Sequence, residues 1–225
     1  MGAAAGPNVV EDGLVLALDA GNTKSYPGSG TAWYDLIGSN DGTLTNGPTY
    51  SSADGGSIDF DGSNDYTTIS SSNDFAYGTG DFTWEVWIYV NSFSSNRYLL
   101  DHGSNGGTIS NGGSGNTKFH YYNTTTGTGS VLFTTGFGTS LSTSTWYHLV
   151  AVRKNGTTSL YTNGALTASA SDSHNYGAQV LNIGRYGAGG NGFSGKISNV
   201  KIYKGKGLTA SEVQQNYNAN KGRYE

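Results

Sequence analysis

The feature that most limits what this chain can fold into is the recurrence of Asn-Gly and Asp-Gly between short apolar runs. Asn-Gly stands at 46–47, 105–106, 111–112, 155–156, 163–164 and 191–192, and Asp-Gly at 41–42 and 61–62. These pairs adopt the positive φ that tight hairpin turns demand, so the chain is told to reverse direction again and again. Short strands joined by regularly spaced turns are the pattern of a sandwich or barrel.

The runs between the turns carry strand periodicity. In Phe82–Val90, Phe82, Trp84, Val86, Ile88 and Val90 fall on one face and Thr83, Glu85, Trp87 and Tyr89 on the other. Aromatics on both faces predict a central strand packed on each side. Residues 146–153 form a second strong strand, and Lys154-Asn155-Gly156 turns it back into residues 158–162. One helix is predicted, over residues 210–217: Thr209 caps it, Glu212 completes a capping box, and Leu208 and Val213 take the positions of a hydrophobic staple. Its expected role is to close the sandwich.

Composition narrows the functional classes. The 225 residues carry 16 acidic against 12 basic side chains and a formal net charge of −4, which gives no basic field for phosphate backbones or anionic membranes. Cysteine is absent, so disulfides, thiolate metal sites and cysteine nucleophiles are excluded. Aromatics make up 12% of the chain, enough for a core in a sequence otherwise rich in Gly. Met1 to Pro7 lacks the basic start and apolar stretch of a signal peptide, and no apolar run is long enough to span a bilayer, so neither secretory export nor membrane insertion is expected. The expected organisation is a flexible arm over residues 1–11 and one domain over 12–225.

Four stretches, in order, carry a resemblance. They are Asp12-Gly13-Leu14-Val15-Leu16 through Asp19-Ala20; Trp33-Tyr34-Asp35-Leu36 with Gly42-Thr43-Leu44-Thr45-Asn46-Gly47-Pro48; Phe60-Asp61-Gly62-Ser63-Asn64-Asp65-Tyr66; and Gly195-Lys196-Ile197-Ser198-Asn199-Val200-Lys201-Ile202-Tyr203. Together they resemble the laminin-G-like, concanavalin-A-like lectin and glucanase jelly roll in the form common in bacteriophage and bacterial surface proteins. The resemblance implies an all-β, two-sheet antiparallel sandwich with one short C-terminal helix, and a pairing of the first and last strands, residues 14–18 beside 200–203. It further implies a non-catalytic virion surface protein, a capsid decoration or fibre component, that adheres to glycans. Its partners would be other virion structural proteins, cell-surface glycans and further copies of itself. A stand-alone carbohydrate-binding lectin module is the alternative, and a glycan-cleaving enzyme ranks third.

The acids argue against catalysis. Glycoside hydrolysis uses two carboxylates about 5–9.5 Å apart, and the glucanase pattern Glu-x-Asp-x-x-Glu is missing. Of the four Glu, at 11, 85, 212 and 225, only Glu85 sits in the body of a strand, where it is expected to be buried beside an arginine such as Arg153. No Gly-x-Ser-x-Gly elbow occurs. His102, His120, His148 and His174 share no metal-ligand spacing, and His148 reads as a core histidine. Gly187-Ala188-Gly189-Gly190-Asn191-Gly192 fits a dinucleotide fingerprint but leads into a strand, so it reads as a flexible loop.

Two ligand sites are expected. Asp59, Asp61, Asn64 and Asp65 bunch the hard oxygens that Ca2+ prefers, although Asp-Gly-Ser-Asn is also a good turn. Tyr98, His102, Tyr121, Tyr122, Arg185, Tyr186 and Phe193 lie in or beside Gly/Asn/Ser-rich loops and combine aromatic faces with polar groups, as sugar recognition requires.

Overall fold

The computed structural model describes residues 8–94, 97–103, 105–113, 115–123, 136–138, 140–187 and 189–225. Its strands are β1 (Leu14–Asp19), β2 (Ala32–Trp33), β3 (Gly42–Thr45), β4 (Thr49–Ser51), β5 (Ser57–Asp61), β6 (Tyr66–Ile69), β7 (Phe82–Val90), β8 (Tyr98–Asp101), β9 (Thr108–Ser110), β10 (His120–Tyr122), β11 (Trp146–Lys154), β12 (Thr157–Thr162), β13 (Ala165–Ser171), β14 (Leu181–Ile183) and β15 (Ser194–Lys204). The helix α1 spans Ala210–Asn220. The strands form two antiparallel sheets stacked as a sandwich, as the turn pattern predicts.

The larger sheet runs β13-β12-β11-β7-β15-β5-β4, and β1 shares one edge of β15 with β5. The long last strand pairs through Ser194 to Ile197 with β5, and through Asn199 to Tyr203 with β1. The first and last strands therefore meet as expected, with Leu18 opposite Val200 and Leu14 opposite Tyr203. Where β15 changes partner, Ser198 donates its hydroxyl to the Gly56 carbonyl at 2.6 Å. Backbones approach so closely there that a Cβ on Gly21 would stand 1.7 Å from the Gly55 oxygen, and only glycine fits. The Asn155-Gly156 and Asn163-Gly164 turns joining β11, β12 and β13 have positive φ at both residues, the hairpin geometry their sequence calls for.

The smaller sheet runs β10-β9-β8-β14-β6-β3-β2. Between the sheets lies one core, in which Trp33, Phe60, Trp84, Ile88, Leu100, Phe119, Ile183 and Ile197 are wholly buried. Each such side chain stabilises the fold by about 1.5–3 kcal/mol relative to exposure. The central strand β7 supplies the inner row from Phe82 to Val90, and its outer row faces α1.

A second apolar cluster, including Tyr161, Tyr203, Leu208 and Val213, fixes α1 to the outside of the larger sheet. Thr209 accepts from the Glu212 amide, and Glu212 accepts from the Thr209 amide at 2.7 Å, so the predicted capping box forms. The helix continues past residue 217 to Asn220, whose amide group donates to the Asn216 carbonyl; both asparagines are buried, and this tertiary anchoring outweighs their weak helix propensity. Of the expected free arm, residues 1–7 lie outside the described residues. Residues 8–11 are docked: the Val10 amide donates to Asn216, the Tyr203 hydroxyl donates to the Val10 carbonyl, and Gln215 donates to the Asn8 carbonyl.

Candidate functional site: the outer face of the smaller sheet

Register decides which side chains of this sheet point away from the core, where Asp101, Thr108 and Asn182 are nonetheless covered. Leu100, Ile109, Tyr121 and Ile183 stand directly across from one another and point into the core. The alternate row therefore points outward: Tyr122, Thr108, Asp101, Asn182, Thr68 and Thr43, paired strand by strand. Tyr98, opposite Ser110, and Tyr66, opposite Thr45, extend this polar and aromatic face.

A loop over residues 184–192 leaves β14 and covers part of it. The sequence reads the Gly-rich part of this segment as a flexible loop, and hydrogen bonds anchor it at Gly184, Gly187 and Gly192. The Gly184 amide donates to the Leu99 carbonyl, Phe193 donates back to Gly184, and the Gly187 amide donates to Asp101 at 2.7 Å. Arg97, itself buried, holds the Gly192 carbonyl through Nη1. Asp101 is fully buried and also accepts from the Thr108 hydroxyl at 2.5 Å. Burial raises its carboxyl above the ordinary range, with the hydrogen bonds from Thr108, Gly187 and Gly103 working the other way.

Held in this way, the loop presents Arg185 and Tyr186. The Tyr186 ring lies 5.1 Å from that of Tyr98, tilted by 41°. The Arg185 guanidinium lies flat over Tyr66, its carbon 3.3 Å from the ring centroid. All four are half-buried.

Of the seven residues expected to bind sugar, Tyr98, Tyr122, Arg185 and Tyr186 are on or beside this face. The other three are not. His102 packs in the core, stacked on Trp84 at 4.8 Å. Tyr121 points inward because it alternates with Tyr122 along β10. Phe193 lies between Phe60 and Phe119. The sequence reading missed Tyr66, Asp101 and Asn182, whose place depends on pairings such as Asn182 with Thr68 across more than a hundred residues.

The acidic segment is built as a turn. Asp61 accepts from the Ser63 and Asn64 amides and Asp65 from the Asp61 amide, so these carboxylates build the turn. Asn64 binds through its own carbonyl to Asn46. Asp59 takes a long bond from Asn91, and among the described residues no three acidic or histidine side chains converge in a ligand set.

Glu85 is buried as expected, but its partner is Lys201 at 2.8 Å and not Arg153. Arg153 lies three residues along β11 from the position opposite Glu85, on the other face of the strand, and binds the Asp172 carbonyl and carboxylate. His148 lies 3.2 Å from Glu85 and stacks on Trp87, a core histidine as read.

The fold has relatives among solved structures. A Trypanosoma rangeli sialidase in complex with sialic acid matches over 96% of this chain and 34% of that one, with a TM-score of 0.71 and 17% identity. The binding domain of botulinum neurotoxin serotype G matches over 91% of this chain and 50% of that one, with a TM-score of 0.66 and 14% identity. The chain thus spans about a third of the sialidase and half of the toxin domain. No curated protein matches it in sequence. The family model of the concanavalin A-like lectin/glucanases superfamily matches residues 61–214, from the acidic turn to the middle of α1. By that match the chain belongs to the concanavalin A-like lectin/glucanases superfamily.

Proposed function

We propose that this domain is a non-catalytic carbohydrate-recognition module, and that its glycan lies on the outer face of the smaller sheet. The observation that carries the reading is the pair of Tyr98 and Tyr186 rings beside Arg185 on Tyr66, presented by a loop pinned through Asp101. Tyrosine offers an apolar face for the C–H side of a pyranose and a hydroxyl for its oxygens. Thr68, half-buried on the same face, adds a hydroxyl. A platform already held in place loses little entropy on binding.

The non-catalytic half is supported by the state of the carboxylates. Glu85 is enclosed against Lys201 on the far sheet, and Asp101, the acid of the candidate face, is buried beneath its donors. Neither is set to share a glycosidic bond with a second acid.

A glycan array tests the reading. Binding by the intact domain, lost in Tyr186→Ala and Tyr98→Ala at unchanged melting temperature, supports it; an array without a hit ends it. The wider setting we propose, display on a virion by contacts with other structural proteins, is supported by the surface-protein motifs of the sequence. Immunogold labelling of purified particles tests it, and particles without label would refute it.

A further inference from the structure

Arg185 stands apart from the other three arginines of the chain. Arg223 pairs with Asp19 at 2.8 Å and Arg153 with Asp172, while Arg97 binds the Gly62 and Gly192 carbonyls and the Ser94 hydroxyl. Lys201 and Lys206 each have a carboxylate. Arg185 has neither hydrogen bond nor ion pair among the described residues, and its only contact of this kind is the face of Tyr66. Its Nε is buried with no acceptor. The residues outside the described set carry no acidic side chain, so the chain has no further carboxylate to offer it.

An arginine in this state is incomplete. Stacking on Tyr66 fixes the plane of the guanidinium and covers one of its faces, but it satisfies none of the five N–H donors, which lie in that plane. A buried N–H without an acceptor is costly, and a planar, immobilised fork matches the two oxygens of a carboxylate or sulfate.

We infer that the ligand of this face is an acidic glycan, one whose carboxylate or sulfate accepts in-plane hydrogen bonds from Arg185 while the sugar ring lies against Tyr98 and Tyr186. The inference rests on the carbohydrate reading above and adds the chemical class. Asp101 does not oppose it, because its carboxyl is buried and turned to the Thr108 hydroxyl and the Gly187 amide. Thr68, half-buried on the same face, remains available for an uncharged hydroxyl.

The test is an array carrying carboxylated and sulfated glycans, each beside its neutral counterpart, the uronates also as methyl esters. It is followed by titration calorimetry of the best acidic glycan and its neutral partner with the intact domain, Arg185→Gln and Arg185→Lys. The expected result is an acidic glycan bound at least tenfold more tightly than its neutral form, with that preference abolished in Arg185→Gln and reduced in Arg185→Lys. Carboxylate-only or sulfate-only hits identify the group. Equal binding of acidic and neutral glycans, unchanged in Arg185→Gln, overturns the inference and leaves the carbohydrate reading standing. No hit of either kind overturns both. Melting temperatures of the variants check folding, and Tyr66→Leu is a second variant: it removes the stack without touching the charge, and it should weaken acidic-glycan binding more than neutral.

Discussion

Lys201 places its Nζ 2.8 Å from Glu85 Oε1, and this pair lies buried beneath α1 on the outside of the larger sheet. The other carboxylate oxygen of Glu85 accepts from Asn216 of the helix at 2.7 Å, and the same Asn216 accepts the Val10 amide. One carboxylate thus joins β7, β15, the helix and the start of the domain.

Removing one end of this pair should therefore loosen more than a contact. Burial by itself would raise the Glu85 carboxyl, but Lys201 and His148 overcome it and hold the group well below its ordinary value. Lys201→Met leaves a buried carboxylate without its main cation and should destabilise the domain by about 3–5 kcal/mol, while Glu85→Gln combined with Lys201→Met should recover most of that loss. Urea unfolding of the three proteins checks both expectations. Because the folded carboxyl titrates below the unfolded one, its contribution is present above pH 4.5 and is lost as the pH falls below that value.

His102 should produce a second acid dependence in a higher window. Burial in the aromatic core pushes its imidazole down to about 3 from 6.5. The unfolded chain takes up a proton that the folded one refuses, so stability should fall as the pH drops from 6.5 towards 3, by up to about 1.4 kcal/mol per pH unit. Both ring nitrogens lie buried without a hydrogen-bond partner among the described residues. His102→Phe should remove this slope, and denaturation curves at pH 7, 5.5 and 4 would detect it. A slope that survives the substitution would assign it to another group.

The neighbours Tyr121 and Tyr122 show what the sequence could and could not say. Alternation places them on opposite faces of a strand, and it was legible that one faces inward. Which one depends on the register with Ile109 and Thr108 across β9, and those pairings lie outside any local pattern. The turns, the central strand and the capped helix were legible because their causes are local: positive φ at Asn-Gly, period two in β7, and the Thr209–Glu212 box. The site was only half legible, since Tyr66 and Arg185 meet through a sheet that brings residues 66–69 beside 181–183. The same long-range geometry gave Glu85 its lysine in place of the expected arginine.

Substitution should separate the two tyrosines experimentally. Tyr121→Ala empties a fully buried core position and should destabilise the domain by about 3–5 kcal/mol. Tyr122→Ala removes a half-buried outer ring and should cost much less in stability. Thermal melts of the pair decide this; equal losses would mean that β10 does not hold the register seen here.

Asp101 tests whether the loop is held in place for binding. Its carboxylate accepts the Gly187 amide two residues beyond Arg185, so the charge serves the position of the loop and not the ligand directly. Asp101→Asn keeps the size of the side chain but replaces one acceptor oxygen with a donor, leaving either the Gly187 amide or the Thr108 hydroxyl facing an N–H. Losing one charge-assisted hydrogen bond of this kind corresponds to about 1.5–3 kcal/mol. The expected signature is local: amide exchange should accelerate at Tyr186 and Gly187, glycan affinity should fall with it, and the exchange of β7 and β15 should stay as it was. Exchange that accelerates throughout the sheets would instead make Asp101 a residue of general stability. Unchanged exchange at Gly187 with undiminished affinity would show that the loop keeps its shape by its other ties, the Gly184 and Phe193 amides at its ends and the Arg97 bond to Gly192.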